Sequence, residues 1–151
     1  AVTYARETYG LDLVILPIEM PKDASAGDAV ARALEFEPYL FRQRFDTETT
    51  IGIISRMKCV LSMRLHALVF AAREGVPNAG IVYDKKVKGF MRYMHADLYV
   101  DLDHIDAETL CVFIDEMMRS SRASLLENAA RLCELEHENV VEAMRLIGEE
   151  S

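Results

Sequence analysis

Long apolar runs are missing from this chain: 51% of its residues are hydrophobic, yet no stretch approaches the roughly 20 consecutive apolar residues that span a bilayer. A membrane-spanning helix is therefore not expected, and the chain reads as soluble. Basic charge is scarce, with 17 Lys and Arg against 25 Asp and Glu, a net charge of −8. Such a balance argues against a nucleic-acid surface, which carries a basic stripe. Only Cys59, Cys111 and Cys133 are present, odd in number, widely spaced and without a CxxC pair. That spacing excludes a disulfide framework and a zinc site, and leaves them as reduced core thiols of a cytoplasmic protein. Signal-peptide pattern, internal repeat and low-complexity segment are also missing. The chain opens at Ala1 rather than Met, on residues that read as the end of a helix closing at Gly10. From this follows the expectation of a domain excised from a longer protein.

At 151 residues the length suits a single domain, 1–151, with a sizeable core. Its richest stretch is Ser62 to Val87. Lys58 to Leu61 carries the short apolar run of a buried strand. Met63 to Arg73 then turns helical, with Leu65, Leu68, Val69 and Ala72 on one stripe, until Gly75 and Pro77 stop it. Asn78 to Tyr83 reads as a second buried strand. Together these make a βαβ unit with parallel strands.

Elsewhere the pattern predicts strands over Leu11–Ile18, Pro38–Phe41 and Asp97–Val100. Helices are predicted over Ala26–Leu34, capped by Asp23 or Ser25, and over Thr47–Arg56, capped by Asp46, with Ile51, Ile54 and Met57 inward. A further helix runs from Val87 to Met94. From Asp106 the chain is helical, through Met118 and then from about Ser121 to Ile147, with the last helix packing Leu125, Leu132, Leu135, Ala143, Met144 and Ile147. The methionines, Met57, Met91, Met94, Met117 and Met118 among them, read as core filler. The fold class is α/β, a Rossmann-like parallel sheet flanked by helices, with terminal α-helices.

In open parallel sheets ligands sit beyond the carboxyl ends of the strands, where helix N-termini present free N–H groups. Arg64 and His66 fall in the first turn after one strand, and Asp84 and Lys86 just after the next. Two cations and an imidazole at one edge suit an anionic, phosphate-bearing substrate. His104, in Asp101-Leu102-Asp103-His104, reads as loop and cap chemistry.

Three segments in order, Ser62-Met63-Arg64-Leu65-His66-Ala67-Leu68-Val69-Phe70-Ala71-Ala72, Gly75-Val76-Pro77 and Gly80-Ile81-Val82-Tyr83-Asp84-Lys85-Lys86-Val87, resemble the polysaccharide pyruvyl transferase family, particularly its cell-wall polymer branch. Weaker similarity extends upstream through Leu16-Pro17 and Asp23 and downstream through the terminal helices. The resemblance implies the C-terminal half of a two-domain enzyme of glycosyltransferase B (GT-B) type. Such enzymes move pyruvate from phosphoenolpyruvate onto two hydroxyls of a sugar, forming a cyclic ketal and releasing phosphate. In the cell-wall members the acceptor is an N-acetylmannosamine residue on a lipid-linked precursor, and the ketal anchors surface-layer proteins. The implied location is cytoplasmic, at the inner face of the membrane, with membrane-surface association through the acceptor. Where the family has Pro between the Asp and Lys of its Tyr-Asp motif, this chain has Lys85, read as solvent-facing; Lys86 keeps the family's spacing from His66.

The roles that follow are residue by residue. His66 is assigned as general acid toward the donor or departing phosphate, with base toward the sugar hydroxyl as the alternative. Arg64 offers a planar fork for carboxylate or phosphate, and Lys86 a mobile charge for phosphate oxygens. Backbone groups near Ser62 and Met63 add donors, Tyr83 lies at the rim, and Asp84 orients Lys86 or caps the next helix. No cofactor or metal is called for, since the cations already offset the phosphate and His66, His95, His104 and His137 lack ligand spacing. The missing N-terminal domain supplies further contacts, so the isolated chain is expected to be inactive. Apolar surface left where that domain docks gives it a route to homo-oligomers. Two other readings stand beside this one: a different GT-B enzyme using the same rim for a nucleotide-sugar diphosphate, and a non-catalytic α/β module whose acidic terminal helix binds a partner.

Overall fold

The computed structural model describes residues 1–134. Its elements, in chain order, are α1 (Val2–Tyr9), β1 (Val14–Ile15), α2 (Lys22–Arg32), β2 (Tyr39–Leu40), α3 (Thr47–Ile54), β3 (Val60–Ser62), α4 (Leu65–Arg73), β4 (Asn78–Val82), α5 (Lys85–Tyr93), β5 (Tyr99–Asp101), a 3-10 turn at Leu102–His104, and α6 (Ala107–Arg119). Residues 122–134 are again helical. The part of the expected last helix that carries Leu135, Ala143, Met144 and Ile147, and His137 with it, lies outside the described residues.

The three longer strands form a parallel sheet in the order β3-β4-β5. Its register pairs Ser62 with Gly80 and Val82 with Asp101, so these three strands end along one edge. β1 and β2 pair in parallel as a separate sheet, where a single continuous sheet was expected. The strand expected over Leu11–Ile18 shrinks to two residues because its ladder has little to work with. Tyr39 and Phe41 donate to the carbonyls of Leu13 and Ile15, and then Pro17, with no N–H, cannot extend the pairing. Leu16 and Ile18 nevertheless join the core around Ile54, Ala67, Ala71 and Val76.

Alternation along the strands builds a three-layer fold. On one face Val82 packs with Leu68 of α4 and with Val87 and Met91 of α5. On the other, Ala79 packs with Phe113, Ile114 and Met117 of α6, joined by Cys59, Val100, and Tyr4 and Tyr9 of α1. Gly80 makes room for the first contact. A Cβ there would sit 3.1 Å from Met91 Cγ, closer than ordinary van der Waals packing allows, so the missing side chain lets α5 lie down on the sheet. The chain is thus α/β, Rossmann-like, with helices covering parallel strands on both faces.

Local signals explain most boundaries. Asp46 caps α3 by accepting from the Thr49 N–H at 2.7 Å, Asp106 caps α6 at Thr109 in the same way, and Gly10 ends α1 in the left-handed region at φ 65°. Three expectations are corrected. Val69 is exposed, and Ala67 and Ala71 are buried in its place because α4 meets β3 and α3 as well as α5. α2 begins at Lys22 after Pro21, so neither Asp23 nor Ser25 is its cap; Asp23 is drawn into a tertiary contact instead. Cys133 is exposed and Cys111 only half-buried, leaving Cys59, whose thiol burial pushes up in pKa, as the most core-like of the three.

Candidate active site

Because β3, β4 and β5 run parallel and in register, the loops leaving their carboxyl ends open on the same edge. Neighbouring strands lie about 4.8 Å apart, so these loops are immediate neighbours. The β3–α4 loop carries Ser62, Met63 and Arg64, and the β4–α5 loop carries Tyr83 and Asp84.

Ser62 shapes the first loop. Its Oγ accepts from the Arg64 N–H at 3.0 Å, holding Arg64 in extended geometry (φ −91°, ψ 118°) at the position just before α4. Arg64 is therefore the N-cap residue rather than part of the first turn, and its side chain is freed to reach across to the first turn of α2 and the loop before it. There Nε and Nη2 both donate to Oδ1 of Asp23, at 3.0 and 2.6 Å, while Nη1 pairs with Oε2 of Glu19 at 2.6 Å. Asp23 is held in turn. Its Oδ2 accepts from the N–H groups of Ile18 and Glu19 at 3.0 and 2.8 Å. Burial opposes ionisation of Asp23, but the hydrogen bonds from Arg64 and from the two amides outweigh it and hold the carboxyl below its ordinary range. The Asp23 hydrogen bond, partly offset by burial, raises the Arg64 pKa, and the charges of Asp23 and Glu19 add to it.

His66 sits two residues into α4 and is exposed, its ring tilted against Phe70 at 6.4 Å between centroids. Met63 is half-buried in the bend before Arg64. On the neighbouring loop Tyr83 is 52% exposed. Asp84 is the N-cap of α5, accepting from the Lys86 N–H at 2.9 Å, so of its two expected roles the structure uses capping. Lys85 and Lys86 are both exposed, and among the described residues neither ammonium has an ion-pair partner. Lys88, one turn on, is taken by Asp101 at 3.1 Å. Among the described residues no three His, Cys, Asp or Glu side chains group to hold a metal ion.

The edge thus presents an exposed imidazole, two exposed ammoniums that have no ion-pair partner among the described residues, and a guanidinium anchored by two carboxylates. That set can bind an anion and move a proton beside it. The structure brings Arg64 to Asp23, Glu19 and the neighbourhood of Tyr83, and gives no direct contact between Arg64, His66 and Lys86. Glu19 and the tertiary role of Asp23 escaped the sequence reading. Two acids four residues apart after an apolar strand look the same as helix-capping chemistry, and nothing local points to a partner 41 residues away.

No curated protein and no solved structure matches the chain. A family model does, that of polysaccharide pyruvyl transferase, over residues 5–85. The matched span covers more than half of the 151 residues and runs from α1 through β1, the β1–α2 segment holding Glu19 and Asp23, and the whole βαβ unit to the start of α5. On that match, laid over the parallel sheet and the rim just described, the chain belongs to the polysaccharide pyruvyl transferase family.

Proposed function

We propose that this chain is the C-terminal, donor-side domain of a two-domain GT-B enzyme that transfers pyruvate from phosphoenolpyruvate to a cell-wall sugar, N-acetylmannosamine in a lipid-linked precursor. Family membership supports the transferase reading. The observation that carries the site is His66, exposed at the head of α4, one loop away from Lys86, which has no ion-pair partner among the described residues, and two residues from the anchored Arg64.

In this reaction the donor's methylene carbon gains a proton and becomes a methyl group. One sugar hydroxyl adds to the adjacent carbon, and the second displaces phosphate there, so that one hydroxyl proton ends on the methyl group and the other leaves with phosphate. Positive character at the donor carbon needs an acid placed close by, and His is the side chain whose ordinary pKa lies nearest neutrality. His66 acts as that acid. Lys86 neutralises phosphate oxygens as it leaves, and Arg64 holds the donor's carboxylate or phosphate. Tyr83 lines the rim, and Ser62 and Met63 set the loop. The N-terminal domain completes the acceptor side, so the two halves are needed together, at the cytoplasmic face of the membrane where a lipid-linked acceptor is presented.

Phosphate release from phosphoenolpyruvate by the full-length protein, with candidate sugar acceptors, tests this. His66→Ala should lower release by about a hundredfold or more, the usual worth of a positioned acid or base. Equal release from the variant and the wild type would remove His66 from the mechanism, and a nucleotide requirement would assign the rim to a nucleotide sugar instead.

A further inference from the structure

The two carboxylates on Arg64 are held in different ways. Asp23 is 18% exposed along its side chain and is fixed from behind by two backbone amides, whereas Glu19 is 47% exposed and shares its other oxygen with Lys22, itself 74% exposed. An acid pinned by backbone donors cannot leave without orphaning them. A half-exposed acid on flexible partners can move at little cost.

We infer that Asp23 is a positioning residue that sets the guanidinium plane of Arg64, and that Glu19 is a specificity element which competes with the anionic substrate for the Nη1 edge of Arg64. This rests on the proposed binding of an anionic donor at the rim. Asp23 takes Nε and Nη2 through one oxygen and so orients the fork. Glu19 takes Nη1, so an incoming carboxylate or phosphate must match or displace it. A weakly held competitor of that kind selects for strongly anionic ligands, because a neutral group gains nothing from Arg64 that offsets the lost ion pair. Lys22 shifts the competition, since it already holds the other Glu19 oxygen at 3.1 Å and leaves that carboxylate with a partner once Arg64 is taken.

The test uses the full-length protein and two probes, phosphoenolpyruvate in turnover and inorganic phosphate in calorimetric titration. Removing the competitor with Glu19→Ala should tighten both, lowering KM and the phosphate Kd by about twofold to fivefold, the scale of a half-exposed ion pair, while kcat stays the same. Asp23→Asn should act in the opposite sense, raising KM about tenfold or more as the fork loses its anchor. The opposite signs at one guanidinium are what a merely structural role would not produce. Weaker or unchanged phosphate and donor binding in Glu19→Ala overturns the inference, and this variant decides it even if Asp23→Asn fails to fold, because Glu19 lies on the surface. A wild-type protein that does not turn over phosphoenolpyruvate overturns the proposed function, and the phosphate titrations of wild type and Glu19→Ala still decide the inference by themselves.

Discussion

Oδ1 of Asp23 receives both Nε and Nη2 of Arg64, at 3.0 and 2.6 Å, and ties the first turn of α2, which follows β1, to the loop after β3. The two strands belong to separate hydrogen-bonded sheets. This contact therefore links, at the candidate site, parts of the fold that no strand pairing joins.

Replacing Asp23 with Asn should cost roughly 1.5–3 kcal/mol, the range for hydrogen bonds to a charged group. The pH dependence has a definite sign. A carboxyl held below its ordinary value stabilises the fold fully above about pH 4, and that stability is lost as the pH falls through the lower folded value. Urea denaturation between neutral and acid pH should show a shallower loss in Asp23→Asn than in the wild type. Some acid dependence should remain in the variant, because Asp46, Asp106 and Asp115 are also lowered.

Tyr4 and Tyr9 both donate to Oδ1 of Asp115, at 2.7 and 2.8 Å, and fasten α1 onto α6. The hydrogen bond to that carboxylate is the main reason the Tyr9 phenol is pushed up to about 12. Since the folded value is raised, its contribution to stability is complete below the ordinary phenol value near 10 and fades as the pH rises toward 12. Spectrophotometric titration should find a late tyrosine in the wild type that returns toward the ordinary value in Asp115→Ala. An unchanged late step in the variant would show that Asp115 is not its cause.

Two glycines should respond to alanine with opposite signs. Gly75 ends α4 at φ 65°, and a Cβ there would lie 2.5 Å from Leu126 Cγ, so Gly75→Ala should destabilise by more than about 1 kcal/mol. Gly89 is on the exposed side of α5, where an added Cβ meets nothing within 4 Å. Gly89→Ala should stabilise by about 0.5–1 kcal/mol through helix propensity. Urea midpoints at constant m-value check both.

Lys85 and Lys86 are adjacent, exposed and unpaired among the described residues, yet the proposed function gives only Lys86 a role. In the full-length protein Lys86→Ala should raise the KM for phosphoenolpyruvate about tenfold, the loss of one charge-assisted contact, with the melting temperature unchanged. Lys85→Ala should alter KM less than twofold by the same reasoning. Equal effects from the two would turn the specific contact into a general field of positive charge.

The sequence by itself determined the α/β class, the βαβ unit and the caps at Asp46 and Gly10, because apolar period, side-chain capping and glycine's left-handed freedom are properties of a few neighbouring residues. It also placed Ser62, Arg64, His66, Tyr83, Asp84 and Lys86 at strand ends, since the strand-to-helix change of period is legible in any window that spans it. Tertiary structure alone decided what those side chains meet. Val69 faces solvent because α4 turns Ala67 and Ala71 toward β3 and α3, and Cys133 is exposed on the last described helical stretch. Arg64 is bound by Asp23 and Glu19 because two segments far apart in sequence are carried to one edge by packing around Ile54 and Ala71. Pairing of charges across such a distance leaves no trace in local periodicity, and it is this that turned a helix-cap signal at Asp23 into the anchor of the candidate site.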